Sequence, residues 1–98
     1  MGGVPKDYVE AAKWYHKTAD QGDSSAQISL GMMYEHGAGV KQDLVQAYMW
    51  VSLAKAAGNK YTAISLDGIA ARMTPGQIAE AKRLASAWKP TPTATAKP

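Results

Sequence analysis

Cysteine is absent from this 98-residue chain, and so is phenylalanine. Without thiols there is no disulfide framework, no thiolate metal site and no cysteine nucleophile. No apolar run approaches the roughly 18 residues that a membrane-spanning helix requires, so no membrane span is expected. A strong charge of one sign is also missing. The formal net charge is +3, and Lys6, Asp7, Glu10, Lys13, Lys17 and Asp20 alternate in sign as solvated helix faces do. The more basic C-terminal part (Arg72, Lys82, Arg83, Lys89 and Lys97 against Glu80) lacks the concentrated stripe of a nucleic-acid binder, so no specific nucleic-acid binding is expected. What remains is one small domain, near the size at which a single core is marginal. Its hydrophobic share of 46% is ample for a helical core.

The chain is organised around residues 30–50, LGMMYEHGAGVKQDLVQAYMW, which read as a helix, a glycine-rich turn and a second helix. The second half has already occurred once. Gly3, Val4, Asp7, Val9, Ala11 and Trp14 recur as Gly39, Val40, Asp43, Val45, Ala47 and Trp50, and 39 − 3, 43 − 7 and 50 − 14 all give 36. Gly22 and Gly58 close the two copies at the same offset, and Ile28 and Leu30 recur as Ile64 and Leu66. A fixed period of this size is the signature of stacked helical hairpins.

In chain order, Asp7 with Glu10 forms a capping-box-like start to a first helix, whose stripe is Ala11, Trp14, Tyr15, Thr18 and Ala19. Ser24 with Gln27 offers a similar box for a second helix, with Ala26, Leu30, Met33 and Tyr34 apolar. Gly31 lowers helix propensity in mid-helix, which points to close approach by the following antiparallel helix. After a turn at 36–40, Asp43 caps a third helix whose buried stripe is Ala47, Trp50, Val51 and Ala54. A fourth helix spans about 60–72 with Leu66, Ile69, Ala70 and Met73 on one face. Thr74, Pro75 and Gln77 then start a fifth, with Ile78, Ala81, Leu84, Ala85 and Trp88 apolar. Residues 89–98, KPTPTATAKP, have no large apolar side chain to offset the entropy of ordering and are expected to be disordered.

No constellation of acid, base and nucleophile is visible. His36 ends the second helix, where a histidine suits the helix dipole. His16 falls among charged residues on the outer side of the first helix, and neither histidine has carboxylates at metal-ligand spacing. Gly37 and Gly39 lack the Lys-Ser/Thr and the preceding strand of a phosphate loop and read as turn residues. All three tryptophans fall on apolar helical stripes and read as core. The chain reads as a non-enzyme without cofactor or metal.

Residues 26–58 resemble the Sel-one-like repeat family, relatives of the tetratricopeptide repeats found in bacteria and eukaryotes. Ala26, Leu30, Gly31, Tyr34, Gly37, Gly39, Val40, Asp43, Ala47, Trp50 and Gly58 meet its pattern at fixed spacing, and GGVPKDYVEAAKWY matches the second half of another copy. The closing MTPGQIAEAKRLASAW is similar to the helix that often ends such arrays. The resemblance implies an all-α, short right-handed superhelix (solenoid) of antiparallel hairpins, about five helices in all. Its domain would span 1–88, as a half repeat (1–22), a full repeat (23–58), and a degenerate last repeat with a capping helix (59–88). Two departures stand out. The first repeat lacks its first helix, and the last has Asp67 and Ala70 where Gly31 and Tyr34 stood. Solenoids of this kind need about three repeats, so either the chain belongs to a longer array or a second copy covers its open end, giving a homodimer.

Members of the family mostly act as scaffolds for protein contacts. By analogy with tetratricopeptide repeats, Ile28, Met32 and Glu35 of the second helix, with Tyr61 and Ile64 at the fourth, would line a concave groove for a peptide, a helix or a second copy. The competing expectation is that the fifth helix folds back and buries these side chains. An alternative function is an accessory repeat domain of a larger bacterial envelope or secreted protein, attached to an enzyme. The chain opens on a turn with no signal-like segment, so the expected compartment is the cytoplasm as it stands, or the periplasm or exterior if it was excised from a longer protein.

Overall fold

Five helices, with no strand among the described residues, build the chain in the computed structural model, which describes residues 6–91. They are α1 (Lys6–Asp20), α2 (Ser24–His36), α3 (Leu44–Ala56), α4 (Ala63–Ala70) and α5 (Pro75–Ala87). The fold is the all-α stack of helical hairpins that the period implied. Apart from α1, whose start borders the residues left undescribed, each helix begins where short polar side chains answer the amides that a helix start leaves unpaired. Asp43 accepts from the Gln46 amide at 3.1 Å, and Thr74 and Gln77 form a complete capping box ahead of Pro75. At α2 the cap is Asp23, not Ser24. The Asp23 carboxylate accepts from the Ala26 amide at 2.9 Å, which leaves Gln27 free to turn inward. Helix α1 already runs from Lys6, so Asp7 lies inside its first turn, and Glu10 pairs with Lys13 at 3.7 Å instead of closing a box.

Helix α4 is shorter than the expected 60–72. The Asn59 side chain accepts from the Tyr61 amide at 2.9 Å, a local turn that delays the start. At the other end the Arg72 and Met73 amides bond to Ile69 and Ala70, tightening the chain out of the α form.

Helices α2 and α3 form an antiparallel pair: Tyr34 packs near Leu44, while Ala26 shares a cluster with Trp50 and Leu53. Helix α3 is the hub, contacting α2, α4 and α5, whereas α1 packs on α2. Two clusters make the core. One joins Ala19, Ala26, Leu30, Met49 and Trp50 under Leu84 and Trp88 of the α5 end; the other joins Ala47, Val51, Leu66 and Ile69.

Three sequence expectations are corrected here. Trp14 and Tyr15 are not core: Trp14 is 67% exposed, because no helix among the described residues lies over that face of α1. His16 is half-buried, its ring edge-on to Trp50 at 5.7 Å and its Nδ1 3.3 Å from the Asp20 carboxylate. The first residues beyond α5 return to the end of α1, where the Thr91 amide donates to the Asp20 carbonyl at 2.6 Å; the rest of the expected disordered tail, 92–98, lies outside the described residues.

Candidate functional site

The repeat period puts Ile28 of α2 and Ile64 of α4 at equivalent positions, since 64 − 28 = 36. Two polar ties hold these helices side by side and pointing the same way. At their starts the Asn59 amide nitrogen approaches the Ser24 hydroxyl at 3.4 Å; at their ends the Arg72 guanidinium donates to the Glu35 carboxylate at 3.3 Å. The face between the ties carries the residues expected of a groove.

Their surroundings differ. Ile28 is half-buried and Met32 is exposed. Tyr61 is 79% exposed and Ile64 89%, and with Lys60 and Ala63 they line an open, mainly apolar hollow of about 360 Å³. Large apolar side chains standing in water are the observation that marks a docking surface. Glu35 is already engaged: besides Arg72 it lies 3.9 Å from the His36 imidazole, and its main-chain carbonyl accepts from Gln42 at 2.9 Å. The fifth helix does not cover this face. It packs on α3, which overturns the expectation that it folds back over Tyr61 and Ile64.

The motif residues act as supports. The Gly31 position is where α2 and α3 meet: a side chain there would stand 2.7 Å from Val51 Cγ2. Gly37 caps α2 in the left-handed region, and Asp43 both caps α3 and donates its amide to the Tyr34 carbonyl at 2.9 Å. At Gly39, φ is +76° and an added Cβ would collide with the Tyr8 carbonyl, so the turn presses directly on the start of α1. Burial, and the charges of Asp43 and Asp20, push the Tyr34 phenol above its ordinary pKa.

Two hollows escaped the residue-by-residue reading. One of about 520 Å³ lies along α1 between Val9, Ala12, Lys13, His16 and the turn at Gly39 and Val40. The other, about 400 Å³, lies between α1 and α2, with Trp14 and Tyr15 on one wall and Ser25, Ala26 and Ser29 on the other. The missing first half of the first repeat is the signal that could have located the second: the residues equivalent to Ala47, Trp50 and Val51 have no hairpin partner in the chain. Among the described residues no group of three or more His, Asp or Glu could hold a metal ion, and no helix is long and apolar enough to cross a membrane.

A family model described as "Sel1 repeat" matches residues 1–23 and 24–59. Curated relatives include the chitin synthase regulator SKT5 of Saccharomyces cerevisiae, 42% identical over 63 residues, or 61% of this chain and 9% of that protein. The ERAD-associated E3 ubiquitin-protein ligase component HRD3A of Arabidopsis thaliana is 36% identical over 86 residues, 88% of this chain and 10% of its own. DAP3-binding cell death enhancer 1 of Rattus norvegicus is 42% identical over 43 residues, 44% of this chain and 8% of its own. The chain therefore spans a tenth or less of each of these relatives. All three are eukaryotic, which gives the expected bacterial setting no support.

Proposed function

We propose, from the premise that this chain belongs to the Sel1 repeat family, that it is a non-enzymatic adaptor module whose α2/α4 face docks a peptide or helix of a protein partner. The observation that carries this reading is Ile64, 89% exposed beside Tyr61 on a face that α5 leaves open. Met32 adds an unbranched, adaptable side chain to the same face, suited to partners of varied shape. The names of the relatives agree with an accessory role: one is a regulator of a synthase, one a component of a ligase, one a binder of another protein.

The test is selection of peptides from a displayed library against the folded chain, followed by anisotropy titration of the best binder. Ile64→Asp and Met32→Glu should each weaken binding by about tenfold or more with unchanged far-UV helicity. Undiminished binding by both variants would refute the groove assignment.

A second reading has one specific observation in its favour. Because the relatives are about ten times longer than the match, this chain would be one accessory repeat module of a larger protein, attached to an enzyme. Further repeats encoded in frame on either side would support it, and in-frame stop codons immediately flanking the coding sequence would oppose it.

A further inference from the structure

Trp14 and Trp50 occupy the same position in successive copies of the repeat, yet Trp14 is 67% exposed and Trp50 only 2%. The comparison extends along the helix. Ala47, Val51 and Ala54 of α3 are fully buried, with Val51 against Gly31 of α2. Thirty-six residues earlier, α1 carries Ala11, Tyr15 and Thr18, half-buried or exposed, with no helix of the described residues over them. Helix α1 thus displays the face that α3 gives to its hairpin partner, and the 400 Å³ hollow beside Trp14 and Tyr15 is the vacant seat.

The opposite end of the stack is different. Helix α5 turns Gln77, Glu80, Lys82, Arg83 and Ser86 to solvent, and its apolar residues face α3. One end is therefore apolar and open, the other polar and closed.

We infer that the Trp14–Tyr15 face of α1 pairs with the same face of a second copy of this chain, the two α1 helices lying antiparallel across a two-fold axis. A head-to-tail contact would set the open apolar face on the polar α5 end, so the two apolar faces must meet each other, which closes at two copies. The direction follows from charge. Asp7 and Glu10 lie in the first half of α1, Lys13 and Lys17 in the second. An antiparallel pair centred on Trp14 brings each acidic half beside the other's basic half, Glu10 against Lys17 of the second copy. A parallel pair would align like charges. Lys17 is already drawn over the Trp14 ring at 5.8 Å, so its ammonium stands at the edge of the contact.

Sedimentation equilibrium on this chain from about 1 µM to about 1 mM tests the inference. The expected result is a monomer–dimer equilibrium. Trp14→Glu should raise its Kd at least about tenfold with unchanged helicity, since the side chain is exposed. Glu10→Lys should weaken the dimer, and the double exchange Glu10→Lys with Lys17→Glu should restore it to within a few-fold. Ile64→Asp should leave it intact, which separates this contact from the α2/α4 face. A monomer throughout, open-ended growth, or a dimer indifferent to Trp14→Glu would overturn the pairing. Failure of the charge exchange to restore affinity would overturn the antiparallel arrangement.

Discussion

Val51 fills the space that a side chain on Gly31 would need: an added Cβ would stand 2.7 Å from Val51 Cγ2 and 3.1 Å from the Ala47 carbonyl. Both neighbours belong to α3, so one missing methyl sets how closely the two central helices approach. Gly31→Ala gains about 1 kcal/mol of helix propensity but meets an overpacking cost of about 1–3 kcal/mol. The net expectation from urea unfolding is a loss of stability. Because half of the clash is with Val51, the loss should shrink when Gly31→Ala is made in a Val51→Ala background. The Ala47 carbonyl cannot be trimmed, so some loss should remain. Equal losses in the two backgrounds would show that Val51 is not the obstacle.

That contact was legible in the sequence because a glycine inside a helical pattern has few other uses. The hairpin of α2 and α3, the Asp43 cap and the box at Thr74 were legible for the same reason, each resting on local spacing. What the sequence could not convey was which faces find partners. Trp14 and Trp50 have the same neighbours in the repeat pattern, and only the helices packed around them make one surface and the other core. His16 was read as outward because its neighbours are charged, although it turns its ring onto Trp50. The groove residues could be named from register, but their difference in exposure, from half-buried Ile28 to open Ile64, depends on where α5 lies.

Gln27 is the buried polar side chain with the most at stake. It is 1% exposed; its Nε2 donates to the Ala19 carbonyl at 3.1 Å, while its Oε1 has no partner. The Ala19 carbonyl also receives the Gly22 amide at 3.0 Å, so it is not stranded if Gln27 is lost. Gln27→Leu forfeits one hydrogen bond, about 1 kcal/mol, and removes an unsatisfied acceptor of similar cost. Stability should change by less than about 1 kcal/mol. Gln27→Glu is a different matter. The buried carboxylate has its pKa raised in the fold, so its form favoured by folding is the protonated one. The variant should be destabilised by about 2 kcal/mol or more at neutral pH. The deficit should shrink as pH falls toward the ordinary carboxylate range near 4. A pH-independent deficit between 7 and 4 would contradict the burial.

Tyr34 gives the fold an alkaline limit. Burial chiefly, then the carboxylates of Asp43 and Asp20, hold its phenol above the ordinary pKa of 10.0. A folded-state pKa above the unfolded one contributes stability that is complete below the unfolded value and lost as pH rises through the folded one. Thermal melts should therefore show the wild-type Tm falling above pH 10 faster than that of Tyr34→Phe. The two proteins should run parallel below that point, because the phenol oxygen accounts for none of the printed hydrogen bonds of this side chain. Parallel curves across the alkaline range would show that Tyr34 is not the group responsible.

The burial of Trp50 depends on α5, and that dependence can be measured on Trp50 alone. Its ring meets Trp88 edge-on at a centroid distance of 6.1 Å, with Leu84 and Ala85 of the same helix against the cluster. Removing the Trp88 ring opens a gap over a residue that is 2% exposed. Trp14 and Trp88 would mask the signal, so the comparison is between Trp14→Phe/Trp88→Phe and Trp14→Phe/Trp88→Ala, each keeping Trp50 as the sole tryptophan. The alanine variant should lose about 2 kcal/mol or more relative to the phenylalanine one. Its emission should shift to the red and its quenching by acrylamide should rise. The capping box anchors the same helix, so Thr74→Ala should raise quenching in the same direction while costing about 1 kcal/mol. If quenching of Trp50 is equal in the phenylalanine and alanine variants, α5 is not its cover, and the closed end of the stack would have to be assigned elsewhere.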